Sequence, residues 1–139
     1  MNKNAIDLLL KSDVSKIKRP TRKVKIKSLS EALGEDIIFT LQAVPMSIYN
    51  SIQESCVSLE DDEINNIDTN KIQLLTVLEG IKEPDLKSKE LIEHFKTHTP
   101  IELLETMFND KPGEIAALYK EINELSGFGK GVIEEIKNS

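Results

Sequence analysis

The chain has 139 residues, 39% of them hydrophobic and 30% charged, with no tryptophan and a formal net charge of −6. That length holds one domain whose core is filled by Leu and Ile rather than by aromatic side chains. A single cysteine, Cys56, excludes an intramolecular disulfide and a thiolate metal cluster, while the opening MNKNAIDLLLK is too short an apolar run for a signal peptide or a membrane span; a cytoplasmic protein is expected.

The elements follow in chain order. Residues 4–11, NAIDLLLK, place Ile6, Leu9 and Leu10 at helical spacing and predict a short helix, followed by a polar, basic stretch in which only Val14 and Ile17 are apolar. Residues 1–22 therefore read as a short helix on a basic tether, and residues 23–139 as a single globular domain. In KVKIKSL, residues 23–29, Val24 and Ile26 alternate with lysines, the period of a strand with one buried face. DIIFTLQAV, residues 36–44, predicts its antiparallel partner, with Ile38, Thr40 and Gln42 on one face and Ile37, Phe39, Leu41 and Ala43 on the other.

After Pro45, read at a first helical position, come helices and connectors. Ile48, Tyr49, Ile52 and Cys56 form a first stripe, and SLEDDEINNID, residues 58–68, is acidic and turn-rich enough to predict a surface loop. Asp68 is placed to cap a helix burying Ile72, Leu75 and Leu78, which Gly80 is expected to end in a left-handed conformation. Leu91, Ile92 and Phe95 mark another helix. Thr99 with Glu102 forms a capping box ahead of Ile101, Leu104, Met107 and Phe108. Ile115, Leu118, Tyr119, Ile122 and Leu125 line a longer helix stopped by Ser126 and Gly127, with Phe128 expected to pack back on its last turn. Val132, Ile133 and Ile136 predict a short final helix. The sum is an α+β fold, a mostly helical domain of five or six short helices with a small antiparallel two-stranded β-ribbon near the N-terminus.

Charge is divided along the chain, with net +7 in residues 1–30 and net −13 in the remainder. The preferred reading is a basic segment docked on its own acidic body, ahead of docking on nucleic acid or on an acidic partner. No aromatic residue precedes Phe39, so base stacking by the arm is unsupported.

Motifs for chemistry fail on inspection. LSGFGKG, residues 125–131, is not a phosphate loop: Glu124 stands where the first glycine belongs, Gly131 where the hydroxyl belongs, and a helix precedes it instead of a strand. His94 and His98 have half-zinc-site spacing without the glutamate of HExxH, and Glu60 to Glu63 lack the glycine of a calcium loop. No enzyme activity, cofactor or metal is expected.

Three stretches carry a resemblance: IDTNKIQLLTVLEGIKEPDLKSKELIEHF (67–95), TPIELLETMF (99–108) and PGEIAALYKEINELSGFG (112–129), with KVKIKSLSEALGEDIIFTLQAV upstream. They resemble the XkdN-like tail assembly chaperones of contractile-tailed bacteriophages and defective prophages, ELSGFG and PDLKSKEL being the most specific parts. The resemblance implies a protein of the infected or lysogenic bacterial cytoplasm, absent from the finished particle, whose partner is the tape measure protein, the long helical polypeptide that sets tail length. A chaperone keeps such a partner soluble by covering exposed apolar helix faces. The candidate contacts are Ile6, Leu9 and Leu10, for a client or for self-association with a neighbouring copy, and Met107 and Phe108, for which core packing is the competing fate. The alternatives are a structural tail or baseplate component retained in the particle, and a nucleic-acid-binding regulator using the basic arm.

Overall fold

The computed structural model describes residues 4–60 and 63–136. Its first packed element is strand β1 (Thr21–Lys25), paired antiparallel with β2 (Ile38–Gln42) so that Val24 lies opposite Phe39 and Arg22 opposite Leu41. Alternation then fixes the two faces: Val24, Phe39 and Leu41 turn toward the core, while Lys23, Lys25, Ile38, Thr40 and Gln42 share the other side.

Where the sequence predicted a strand as far as Leu29, the chain instead turns into helix α2 (Lys27–Leu33). The buried Ile26 ends the alternation, and Ser30 holds the turn, its Oγ donating to Ile26 O at 2.7 Å and accepting from Ile37 N at 2.9 Å. Gly34, at φ 74°, closes α2 in the left-handed region that glycine enters without a Cβ penalty.

The expected two-stranded ribbon is a three-stranded sheet. A third strand, β5 (Ile81–Glu83), pairs antiparallel with β2 in the order β1-β2-β5. It follows directly on helix α4 (Thr69–Gly80), capped by Asp68 through Lys71 N as predicted. The segment read as an acidic loop also differs, forming an antiparallel pair of strands, β3 (Val57–Glu60) and β4 (Glu63–Ile67). The acidic and asparagine-rich composition pointed to a loop, whereas the register pairs its few apolar positions, Val57 with Ile67 and Leu59 with Ile64.

Helix α3 (Met46–Ser55) has Pro45 as its cap rather than its first residue, and rests Ile52 and Cys56 on Ile72 of α4 in a small second cluster. Helices α5 (Lys89–His94), α6 (Pro100–Met107) and α7 (Pro112–Leu125) complete the body. Thr99 caps α6 as predicted, accepting from Glu102 N at 3.1 Å; Glu102 reaches one residue further back than expected, to His98 N at 2.9 Å.

Helix α4 is the centre of the packing and touches α3, α6 and α7. Gly80 does not take the left-handed conformation predicted for it. Its role is close approach: a Cβ there would lie 2.5 Å from Ile122 of α7, so only glycine lets the two helices meet at this depth. Leu103, Leu104, Phe108, Ile115, Leu118 and Ile122 close the core over Phe39 and Leu41.

Helix α7 ends as the glycine predicted. Gly127, at φ 92°, donates to Glu124 O and Phe128 N donates to Asn123 O, the paired bonds of a Schellman motif. Phe128 packs on Tyr49 of α3, ring centroids 5.2 Å apart. The final helix expected at Val132 to Ile136 is absent; residues 128–136 run on without helix, because nothing among the described residues covers Val132, Ile133 and Ile136 and so short a helix does not sustain itself in water.

Candidate functional site

The N-terminal arm is built by local interactions alone. Asn4 Oδ1 accepts from Asp7 N at 2.9 Å and starts helix α1 (Ala5–Leu10), and Ser12 Oγ donates to Leu9 O at 2.6 Å after it ends. Asp13 then caps a single 3-10 turn, Val14–Lys16, accepting from Ser15 Oγ and Ser15 N; these two hydrogen bonds hold its carboxyl below the usual aspartate range.

Among the described residues, this segment makes no hydrogen bond or ion pair with the body. Helix α1 buries no residue, and Ile6, Leu9 and Leu10 are 67%, 63% and 80% exposed, with Leu8, Val14 and Ile17 exposed beside them. A six-residue helix is too short to be stable by its own hydrogen bonds alone.

The predicted docking of the basic segment on the acidic body holds only for its second half. Arg22 pairs with Glu121, and with Glu124 at 3.4 Å, both on α7; the hydrogen bond and charge of Glu121, then those of Glu124, raise the guanidinium pKa. Lys25 pairs with Asp36 at 3.1 Å. Lys11, Lys16, Lys18 and Arg19 stand exposed on the tether without an ion pair among the described residues.

Of the other two candidate contacts, Phe108 is corrected. It is 2% exposed and meets Phe39 edge to face, centroids 6.2 Å apart, so it belongs to the core and offers no surface to a partner. Met107 is half-buried against the same core.

A second apolar surface was not anticipated. Pro20 O accepts from Ala43 N at 3.1 Å, and Val44 N donates to Ser126 Oγ at 2.9 Å, so the tether, the start of α3 and the end of α7 converge at one end of the sheet. Met46, Phe128, Val132, Ile133 and Ile136 are exposed on the segments that leave this end. The sequence signal was available for Met46, which lies off the stripe of Ile48, Tyr49 and Ile52; for residues 132–136 the helical periodicity concealed it.

The residues weighed for chemistry stay apart. His94 ends α5 and His98 lies beyond it, so their spacing does not place two imidazoles on one helix face, and Cys56 is buried. Among the described residues no group of three or more His, Cys, Asp or Glu could hold a metal ion, and no helix is long and apolar enough to cross a membrane.

A family model described as the phage XkdN-like tail assembly chaperone protein matches residues 6–138. The crystal structure of the protein yqbn, a structural genomics target, superposes with a TM-score of 0.62 over 93% of this chain and 99% of that chain, at 18% identity, a likeness of fold. No curated protein matches the chain.

Proposed function

The chain belongs to the XkdN-like family of phage tail assembly chaperones, and from that premise we propose that it binds the tape measure protein in the host cytoplasm, keeps it soluble while a contractile tail assembles, and is absent from the finished particle. The observation that carries this reading is α1, which buries no residue and whose Ile6, Leu9 and Leu10 are exposed. A long helical client presents apolar faces before it is encased, and an amphipathic helix set against such a face is a compact cover.

Covering the three side chains contributes about 3–6 kcal/mol before the cost of ordering the arm, so one arm attaches with a dissociation constant of roughly millimolar order. Weak single attachments suit a temporary coat, because several copies along one client hold it by their number and each is released as the tail closes. The acidic body, with net −13 outside residues 1–30, keeps the coated client dispersed.

The test is co-expression of the tape measure protein with the full chain and with a chain lacking residues 1–11. The full chain is expected to move the client into the soluble fraction and to co-purify with it, and the truncated chain to do neither while keeping its own urea midpoint. Equal rescue by both removes α1 from the reading; no rescue by either removes the client. Mass spectrometry of purified particles checks the predicted absence from the tail.

A further inference from the structure

The outer edge of β1 is unpaired, and the ladder on its inner side fixes which groups it presents. Pro20 O accepts from Ala43 N at 3.1 Å at one end of the β1 and β2 pair, and Ile26 N donates to Ile37 O at 2.9 Å at the other. Bonded pairs alternate along an antiparallel ladder, so in this register Arg22 with Leu41 and Val24 with Phe39 turn their backbone groups inward. The N–H and C=O groups of Thr21, Lys23 and Lys25 therefore point away from β2. Strand β1 ends its sheet, and no backbone group among the described residues bonds to any of these.

A row of outward donors and acceptors is completed only by another extended backbone, and the side chains decide which one. Helix α7 runs antiparallel to β1, tied to it by Arg22 and Glu121 at one end and, just past the other, by Ser28 N donating to Glu114 Oε2 at 3.2 Å. Between the two, Val24, Ile26, Ala117 and Leu118, with Glu114 and Glu121, line a cleft of about 180 Å³, room for an aliphatic side chain set opposite Val24. The other face of the strand carries Thr21, Lys23 and Lys25, all exposed, and Lys23 has no ion-pair partner among the described residues.

Carboxylates directly across from these lysines are favoured, and a second cation there is disfavoured. A second copy of β1 is a poor occupant for that reason. A two-fold pairing centred on Arg22, Lys23 or Val24 sets Arg22 against Arg22, Lys23 against Lys23, or Lys23 against Lys25. Strands β3, β4 and β5 are already paired elsewhere.

We propose that the free edge of β1 is a docking site for an extended, acidic segment of another polypeptide. The segment adds to the three-stranded sheet as a further antiparallel strand, its carboxylates facing Lys23 and Lys25 and an apolar side chain seated in the cleft beside Leu118. The site lies on the body and does not involve α1.

The probe is a synthetic peptide of alternating glutamate and valine, as long as β1 and capped at both ends, titrated into the full isotope-labelled chain at low salt. Saturable binding with a dissociation constant of about 1 mM or below is expected. Amide exchange is expected to slow at Thr21, Lys23 and Lys25 and to stay unchanged at Arg22 and Val24, whose N–H groups already bond to β2. A peptide of alternating lysine and valine is expected to bind about tenfold more weakly. Lys23→Pro removes an outward N–H without touching the ladder to β2, so it is expected to abolish binding while the circular dichroism of the chain is kept. Lys23→Glu with Lys25→Glu, which asks nothing new of the backbone, is expected to reverse the preference between the two peptides.

Equal binding of both peptides, binding undiminished by Lys23→Pro in a folded chain, or a preference that the double charge reversal leaves unchanged overturns the proposal. Slow exchange at Thr21, Lys23 and Lys25 before any peptide is added overturns it as well: at every dilution it means that another part of this chain, such as residues 132–136, already occupies the edge, and at high concentration alone that a second copy does. Neither α1 nor the tape measure protein enters these measurements, so the edge site and the chaperone reading fail independently.

Discussion

Replacing Gly80 by alanine tests the packing of α4 on α7, the contact from which the rest of the body is built. The added methyl would lie 2.5 Å from Ile122 Cδ1, 2.5 Å from Cγ2 and 2.7 Å from Cγ1. Ile122 has no exposed surface and cannot swing aside, so the helices must separate or the isoleucine must leave its rotamer. Overpacking of this kind costs about 1–3 kcal/mol, and three simultaneous close contacts place it at the upper end. Against it stands up to about 1 kcal/mol from the better helix propensity of alanine. Gly80 does not occupy the left-handed region, so backbone strain adds nothing to either side. The net expectation is a loss of about 1–2 kcal/mol, read as a lower urea midpoint with an unchanged slope and as a fall of about 3–10 °C in Tm. Ile122→Ala removes all three clashing atoms at the cost of a cavity, so Gly80→Ala with Ile122→Ala is expected to be more stable than the sum of the single changes by at least about 1 kcal/mol. A Gly80→Ala chain as stable as the parent, or an additive double mutant, refutes the reasoning.

Two further substitutions should stabilise. Thr76 is buried in α4 and its Oγ1 has no hydrogen-bond partner among the described residues, so Thr76→Val, which keeps the shape and removes the stranded hydroxyl, is expected to raise stability by about 1 kcal/mol in urea titration. Lys96 holds φ 58° just past α5, where Lys96 N donates to Glu93 O and Thr97 N to Ile92 O, the same Schellman arrangement that Gly127 makes after α7. Lys96→Gly relieves the left-handed strain and is expected to gain about 1 kcal/mol, with Lys96→Val losing a similar amount; the reverse order would exclude the motif as the reason.

What could be read from the chain alone were features whose cause is local. Asp68 and Thr99 cap because a short oxygen-bearing side chain precedes an apolar run, Gly127 ends α7 because the left-handed position tolerates no Cβ cheaply, and β2 shows its faces because burial on one side imposes a period of two. Helix α1 was legible for the same reason, since the spacing of Ile6, Leu9 and Leu10 is local to the chain.

Tertiary structure decided the rest, wherever one segment's state depends on another distant in sequence. Three residues, Ile81 to Glu83, carry no strand signal and become β5 because β2 offers them an unpaired edge. Gly80 has the local look of a helix terminator, but its reason lies in Ile122 on another helix. Phe108 could have faced water or the core, and Phe39 across the fold settled it. Residues 132–136 have the spacing of a helix but no surface to lay it on, and periodicity without a partner stabilises nothing.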